Sequence, residues 1–569
     1  MKNKIIYLTI SFVFYHSILA QRLRHNEMLG RPTDHSVTVQ MFFADSVEFS
    51  VKYGLSSANY SGQTAWLLVK PDDPAEVVLE PLLNDTVYYY AVCYRKPKAA
   101  NYIQRQEHHF RTARPKGKKF TFIIQADPHL DEQSDTNVYN LCLQNQLQDN
   151  PDFMVDLGDF LMSDKLRNSS KIIPRDTITY RCHLLRKNYE KIAHSVPLYI
   201  AIGNHEGESG WNLTGKADNV AIWGTLDRKK YFLNPAPDAF YSGDTNHFNF
   251  VGQRENYYAW EWGDALFIVL DPYWYTSPKP DSLNGWRWTL GKGQYNWLKS
   301  TLEKSGAKYK FVFAHQIIGG NPDGRGGTEY AGKYEWGGNN LDGSPGFAIN
   351  RPGWYKPIKD LLTENKVTVF FHGHDHFFGR QEKECLVYQE TPQPSHPNFT
   401  SVTYAKDYGY VEGQILPNSG HLRITVEPVG VKVEYVRVYL PKNENAGRHN
   451  KDVSAMYFIG ATNCYDSLAS VSPILWNNAY ADEIIYPNPF DQSASIKFEQ
   501  PESGKVNLEI LNANGQTIRN LLNNFLPRGT FQLSWDGKNN SGMDVPSGVY
   551  FYSITQENGK KLSGKIIRK

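Results

Sequence analysis

Between Phe120 and Phe378 five apolar runs each stop at a residue that can offer a lone pair to a metal. KFTFIIQA ends in Asp127-Pro128-His129, DFMVDL in Gly158-Asp159, VPLYIAI in Gly203-Asn204-His205-Glu206, KFVFA in His315, and VTVFF in His372-Gly373-His374-Asp375-His376. Short continuous apolar runs of this kind are buried strands. Helical stretches such as NVYNLCLQNQLQ and KGQYNWLKSTLEKS separate them, so Lys118 to about Ile459 is expected to form a mixed α/β domain. In open α/β sheets the ligand crevice lies beyond the carboxyl ends of the strands, which lets five such ends meet in one place.

One strand ending in histidines says little, because such histidines usually serve a hydrogen bond. Five ends with one chemistry say more. Carboxylates, imidazoles and one carboxamide, with no thiolate, suit Zn, Fe or Mn rather than Cu(I) or an iron–sulfur cluster. The donors are too many for one tetrahedral ion. Two ions sharing a carboxylate would use them all, and metals about 3.5–4 Å apart clamp the attacking and leaving oxygens of a phosphoester displacement.

In their order D-x-H, GD, GNHE, a lone H after a strand, and GHxH, these motifs resemble the calcineurin-like metallophosphoesterase superfamily over about Phe120 to Phe378. The resemblance implies an α+β fold, a two-sheet β-sandwich flanked by helices. It implies that Asp127, His129 and His376 hold one metal, that Asn204, His315 and His374 hold the other, and that Asp159 bridges them. The ions would be Mn, Zn or Fe. Hydroxide generated at the metals would attack phosphorus, and His205 would act as the general acid, a contribution of about 10²–10⁴-fold. The domain order also resembles purple acid phosphatases, but those carry D-x-G and GD-x-x-Y. Here His129 and Met162 occupy the glycine and tyrosine positions, and a thioether cannot replace phenolate on ferric iron.

Residues around the motifs carry further expectations. His372, Asp375 and Glu206 are read as supports that orient the ligands. Asp156 and Asp164 are alternative orienters of His205. In the long glycine-rich segment after His315, Arg325 is a candidate phosphate clamp, since guanidinium can grip two phosphate oxygens. Tyr330, Tyr334 and Trp336 could line a leaving-group pocket. The Arg228-Lys229-Lys230 run reads as a solvated face.

The rest of the 569-residue chain frames this domain. Residues 1–20, with Lys2 and Lys4 before IIYLTISFVF, read as a signal peptide. Residues 21–116 alternate in period two with turn residues between, and LNDTVYYYAVCY followed by FRT looks like a fibronectin type III-like sandwich. The catalytic domain then spans 117–459, a linker 460–485, and a small β-sandwich 486–569. The elements YPNPF, WDGKN and VPSGVYFY in that last segment resemble the C-terminal sorting domain of Bacteroidetes type IX secretion substrates. This implies a secreted or outer-surface protein that engages the type IX machinery. Lys+Arg 61 against Asp+Glu 59 leaves a net charge of +2, so no global field favours nucleic acid, and no later segment is apolar enough to span a bilayer. The five scattered cysteines form no framework.

The leading functional expectation is an exported dimetal phosphatase acting on a small phosphate monoester. A phosphodiesterase or nucleotide pyrophosphatase would use the same metal core. A cell-surface binding protein that had lost turnover would show broken ligands, and none of the expected positions is substituted.

Overall fold

The computed structural model describes residues 25–460 and 484–569, apart from 169–171, 282–283, 322, 446, 487, 501–502, 513–514 and 558–560. The expected signal peptide and most of the expected linker lie outside the described residues. The chain divides into two compact units, Met1–Ala469 and Ser470–Lys569.

Two sheets form the centre of the first unit. One has six strands in the order Leu198–Ile200, Phe153–Asp156, Phe120–Gln125, Gly420–Glu427, Gly430–Arg437 and Val453–Gly460. Its first three strands are mutually parallel. The other has eight, and within it Ala265–Val269, Tyr309–Phe313, Val369–His372 and Leu386–Glu390 run parallel as neighbours. The period-two alternation of side chains builds the layers. Phe120, Phe122 and Ile124 point between the sheets, where they join Phe267, Phe311, Phe313 and Phe371. Ile123 points the other way, among Tyr139, Leu143 and Leu185 of the helices outside. Val312 and Phe370 do the same on the second sheet, against Leu298, Leu302 and Leu361. Phe122 meets Phe267 edge-on at 5.1 Å and Phe313 stacks on Phe371 at 5.3 Å, geometries that add about 0.5–1.5 kcal/mol each beyond burial.

The helices begin where expected. Asp135 caps Thr136–Gln148 by accepting from the Asn137 and Val138 amides, and KGQYNWLKSTLEKS forms Gly291–Lys304 together with its flanking residues. The N-terminal sandwich pairs a sheet of His25–Gly30, Val37–Phe43 and Ala75–Leu79 with one built on Val47–Gly54 and Val87–Arg95 around its own core. It packs on the catalytic domain rather than standing apart. Met28 and Phe42 enter the core of helix Arg175–Tyr189, and the Leu29 amide donates to Ala193 O at 2.8 Å. Cys93, Cys142 and Cys182 are buried free thiols. The second unit is a β-sandwich of Ile484–Tyr486, Ala494–Gln500 and Gly529–Trp535 against Gly504–Leu511, Thr517–Leu526, Gly548–Gln556 and Lys561–Arg568. No described helix is long and apolar enough to cross a membrane.

One expectation is corrected here. Arg228 is not on a solvated face: its side chain is 0% exposed and paired with Glu208, also 0% exposed. Helix Val220–Tyr231 turns Arg228 inward, where Nε lies 2.6 Å from Glu208 Oε1. Arg254 bonds Glu208 Oε2 at 2.8 Å and Asp271 Oδ2 at 2.7 Å, and stacks on Trp274. Burial would raise the Glu208 carboxyl, but the two guanidiniums outweigh it and hold it at about 2. A carboxylate depressed from its ordinary 4.5 stabilises the fold above that pH and loses its contribution as pH falls towards about 2. Replacing Arg228 by methionine leaves the buried Glu208 carboxylate with Arg254 as its one remaining guanidinium and is expected to cost about 3 kcal/mol, read as a lower urea midpoint at unchanged m-value. A midpoint within error of wild type would refute that account.

Candidate metal centre

The five strand ends meet as the parallel strands require. Asp127, His129 and His376 form one group and Asp159, His315 and His374 another, the chosen ligand atoms of each lying within 4.8 Å of one another. In the first, Asp127 Oδ1 is 3.4 Å from His376 Nε2 and 3.7 Å from His129 Nε2. In the second, His315 Nε2 is 3.0 Å from Asn204 Oδ1, 3.1 Å from Asp159 Oδ2 and 3.2 Å from His374 Nδ1. Asp159 Oδ2 also lies 3.7 Å from His129 Nε2, so one carboxylate oxygen faces both groups. His205 Nε2 stands 3.9 Å from the same oxygen, on a side chain 19% exposed.

Proton counting favours a cation here. His315 donates Nδ1–H to Leu157 O at 2.9 Å and His374 donates Nε2–H to Asp323 O at 3.0 Å. The outer nitrogens are therefore committed, and the inner ones face acceptors. A single proton on His315 Nε2 cannot serve an amide oxygen, a carboxylate oxygen and an imidazole nitrogen together, whereas a metal ion can. Separations of 3.0–3.2 Å are close to the ~3.3 Å between ligands that bonds of about 2.0–2.1 Å produce in a tetrahedral shell. Asp127 Oδ1 and both ring nitrogens of His129 are buried without a hydrogen-bond partner, which also fits an ion. The electrostatics agree. Burial would raise Asp127 and Asp159, yet the surrounding histidines hold both well below the usual carboxylate range. Burial lowers His315, but Asp159 and Asp127 outweigh it and draw it up to about 9, which marks how strongly these carboxylates favour positive charge at this point.

Holding these groups bends the backbone. Asp127, His129, Asp159, His374 and His376 all have left-handed φ, between 49° and 78°, at a cost of roughly 1–3 kcal/mol each. Two glycines allow close approach. A Cβ on Gly203 would come within 2.3 Å of Asp159 Oδ1, and one on Gly373 within 2.7 Å of Asp127 Oδ2. The Asp127 Oδ2 so admitted accepts the His374 amide at 2.9 Å, and Asp159 Oδ1 accepts the His205 amide at 2.8 Å.

The expected supports are largely where the sequence suggests. His372 Nδ1 lies 2.8 Å from Glu390 Oε2, and the Asp375 amide donates to Glu390 Oε1 at 3.0 Å. Asp375 accepts from Gly326 N at 2.9 Å and Tyr410 Oη at 2.8 Å. Arg325 reaches the site, but its Nη1 is committed to His374 O at 2.7 Å and Asp375 Oδ1 at 3.0 Å, and its guanidinium stacks on Tyr408. Asp156 accepts from Gln125, Tyr189 and Gly158 N rather than orienting His205; the Asp164 side chain lies outside the described residues. Two pocket expectations are corrected. Trp336 is 0% exposed and donates to Tyr388 Oη, and Tyr334 is buried edge-on to Trp286, so both fill the core.

Several contributors were not anticipated. Glu390 ends the apolar strand Leu386–Glu390 in a carboxylate, the same construction as the five motifs, and was legible on that ground. Tyr404 and Asn418 both bond His376 O, at 2.8 and 2.7 Å, and Arg181 bonds main-chain oxygens only. Side chains that serve backbone carbonyls leave no pattern in a sequence.

These observations define a metallophosphoesterase fold, and residues 120–378 match the model of the calcineurin-like phosphoesterase family. Residues 484–560 match the FlgD Ig-like domain. Among solved structures, PhoD is similar with a TM-score of 0.56 at 16% identity, over 77% of this chain and 90% of that one. Purple acid phosphatase PPD1 from yellow lupin (Lupinus luteus) seeds has a TM-score of 0.53 at 14% identity, over 79% and 78%. At these identities the likeness is one of fold. No curated protein matches the chain.

Proposed function

We propose that this chain is an exported dimetal phosphoesterase that hydrolyses small phosphate monoesters. The observation that supports it most is the pair of donor groups joined through Asp159 Oδ2, which lies 3.1 Å from His315 Nε2 and 3.7 Å from His129 Nε2. Asp127, His129 and His376 would hold one ion, and Asn204, His315 and His374 the other. When bound, two such ions lower the pKa of water from about 15.7 towards 7 and offset charge on phosphoryl oxygens. The donor set suits Mn, Zn or Fe. Met162 in place of a phenolate argues against an obligate ferric site.

The chain's own groups do the rest. His205 Nε2 approaches from the solvent side and would donate its proton to the leaving oxygen. Two of the three retained oxygens of the phosphoryl group would face Arg325, whose hydrogen bonds use Nη1 and leave Nε and Nη2 without a partner among the described residues. Buried aromatic packing around His315, including Tyr273 at 6.3 Å between ring centroids, would exclude water from that side. Export through the type IX machinery rests on the YPNPF, WDGKN and VPSGVYFY elements and on the compact second unit that carries them.

The test is a panel of an aryl phosphate, a bis-aryl phosphate and a nucleotide pyrophosphate with added Mn, Zn or Fe, assayed on purified protein and on cell fractions. Metal-dependent cleavage favouring the monoester, in the surface or medium fraction, is expected. A large preference for the diester would overturn the substrate class, and activity confined to the cell interior would overturn export.

A further inference from the structure

The turn that carries Asp159 is held between a buried carboxyl group and a buried guanidinium, both hydrogen-bonded to backbone alone among the described residues. Glu206 accepts from the amides of Asp159 at 3.0 Å, Phe160 at 2.8 Å and Leu161 at 3.1 Å, and from Gly203 N. Arg181, on helix Arg175–Tyr189, donates to the carbonyls of the same turn: Leu161 O at 2.7 Å and Phe160 O at 3.0 Å. Its other contacts are Leu130 O at 2.9 Å and His129 O. One side chain thus collects the N–H groups of the turn and the other collects its C=O groups. Each also reaches a second ligand loop, Arg181 the one bearing His129 and Glu206 the one bearing Asn204.

That distribution has a physical consequence. Gly158 and the non-glycine residues Asp159 and Met162 have φ of 99°, 61° and 48°, while Asp127, His129 and Leu130 in the neighbouring loop have 57°, 49° and 56°. The two loops are joined directly by the main-chain bonds Asp127 N to Gly158 O at 3.0 Å and His129 N to Asp159 O at 3.2 Å. Neutral main-chain bonds are weaker than those from a guanidinium. Among the described residues Arg181 has no carboxylate partner; its fork is filled by peptide oxygens, and both side chains are buried. A lysine in its place would keep the charge but could not reach four carbonyls with a planar fork.

Building on the dimetal reading, we infer that Arg181 and Glu206 are a matched pair of positioning residues that set the backbone of Asp159, and through it the carboxylate shared by the two metal sites. Neither touches the donor cluster with its side chain as a ligand. Their action is to fix where Asp159 Oδ2 stands between the His129 and His315 groups.

The experiment uses the full chain with Mn(II) as the probe. Apo-protein of wild type, Arg181→Lys, Glu206→Gln and the control Arg175→Ala is titrated with Mn(II) and followed by calorimetry and electron paramagnetic resonance. Amide exchange across residues 157–163 is measured without metal. Wild type and control are expected to take up two ions with a spin-coupled signal. Each clamp variant is expected to lose that coupling, to bind the second ion at least about tenfold more weakly, and to exchange the Asp159–Leu161 amides faster. Glu206→Gln keeps shape and volume, so it carries the test if Arg181→Lys does not fold. Coupled two-ion binding and wild-type exchange in both variants would overturn the inference alone. Fewer than two ions in wild type would overturn the dimetal reading and this inference with it.

Discussion

Replacing His374 by alanine is expected to remove one of the two ions of the proposed dimetal centre and to lower kcat on an aryl phosphate by at least about 10³-fold, since those ions would supply the nucleophile. The position is demanding. His374 Nδ1 is one of the four atoms that converge within 3.2 Å of His315 Nε2 or are that atom itself, and its Nε2 is tied to Asp323 O at 3.0 Å. Alanine would remove the donor and, with it, the bond to Asp323 O. The residue lies in a turn with a φ of 78°, a strained conformation for an L-residue. Metal content after dialysis, measured together with kcat, checks the prediction. Two equivalents retained and kcat within tenfold of wild type would remove His374 from the ligand set.

His205→Ala should behave differently. The imidazole faces Asp159 Oδ2 at 3.9 Å, beyond the 3.0–3.2 Å at which the second donor group converges. Its backbone amide, which alanine keeps, makes the bond to Asp159 Oδ1 at 2.8 Å. Metal content is therefore expected to stay at the wild-type level while kcat falls by about 10²–10⁴-fold on an alkyl phosphate. On 4-nitrophenyl phosphate the loss should be much smaller, because that leaving group departs without a proton. Equal losses on both esters, or loss of a metal ion, would assign His205 to positioning or ligation instead of proton donation.

The fold was legible where burial follows a local rule. Phe120, Phe122 and Ile124 alternate with Ile123, and that alternation alone sends the first three between the sheets. The donors were legible because each sits at the abrupt end of an apolar run, where a buried strand must stop and a polar crevice can begin. Glu390 obeys the same rule and could have been named. Arg228 could not. A basic triplet on a helix is usually solvated, and its burial depends on Glu208, Arg254 and Asp271 arriving from three other segments. Trp336 likewise sits in a glycine-rich stretch that reads as an open loop, but Tyr388 and Phe370 cover it.

Arg325 illustrates the boundary from the other side. The loop that follows His315 made it a candidate phosphate clamp, and its principal contacts, His374 O and Asp375 Oδ1, lie 49 and 50 residues away. Proximity could be anticipated; which edge of the guanidinium stays open could not.

The sequence by itself determined which residues can bind metal and that they end parallel strands, because ligand chemistry and strand periodicity are properties of residue types at short spacing. The tertiary structure alone decided how those donors face one another, which charges are buried beneath them, and which two side chains hold the Asp159 turn by its own amides and carbonyls. Those relations join segments far apart in the chain, and many pass through backbone atoms that every residue shares.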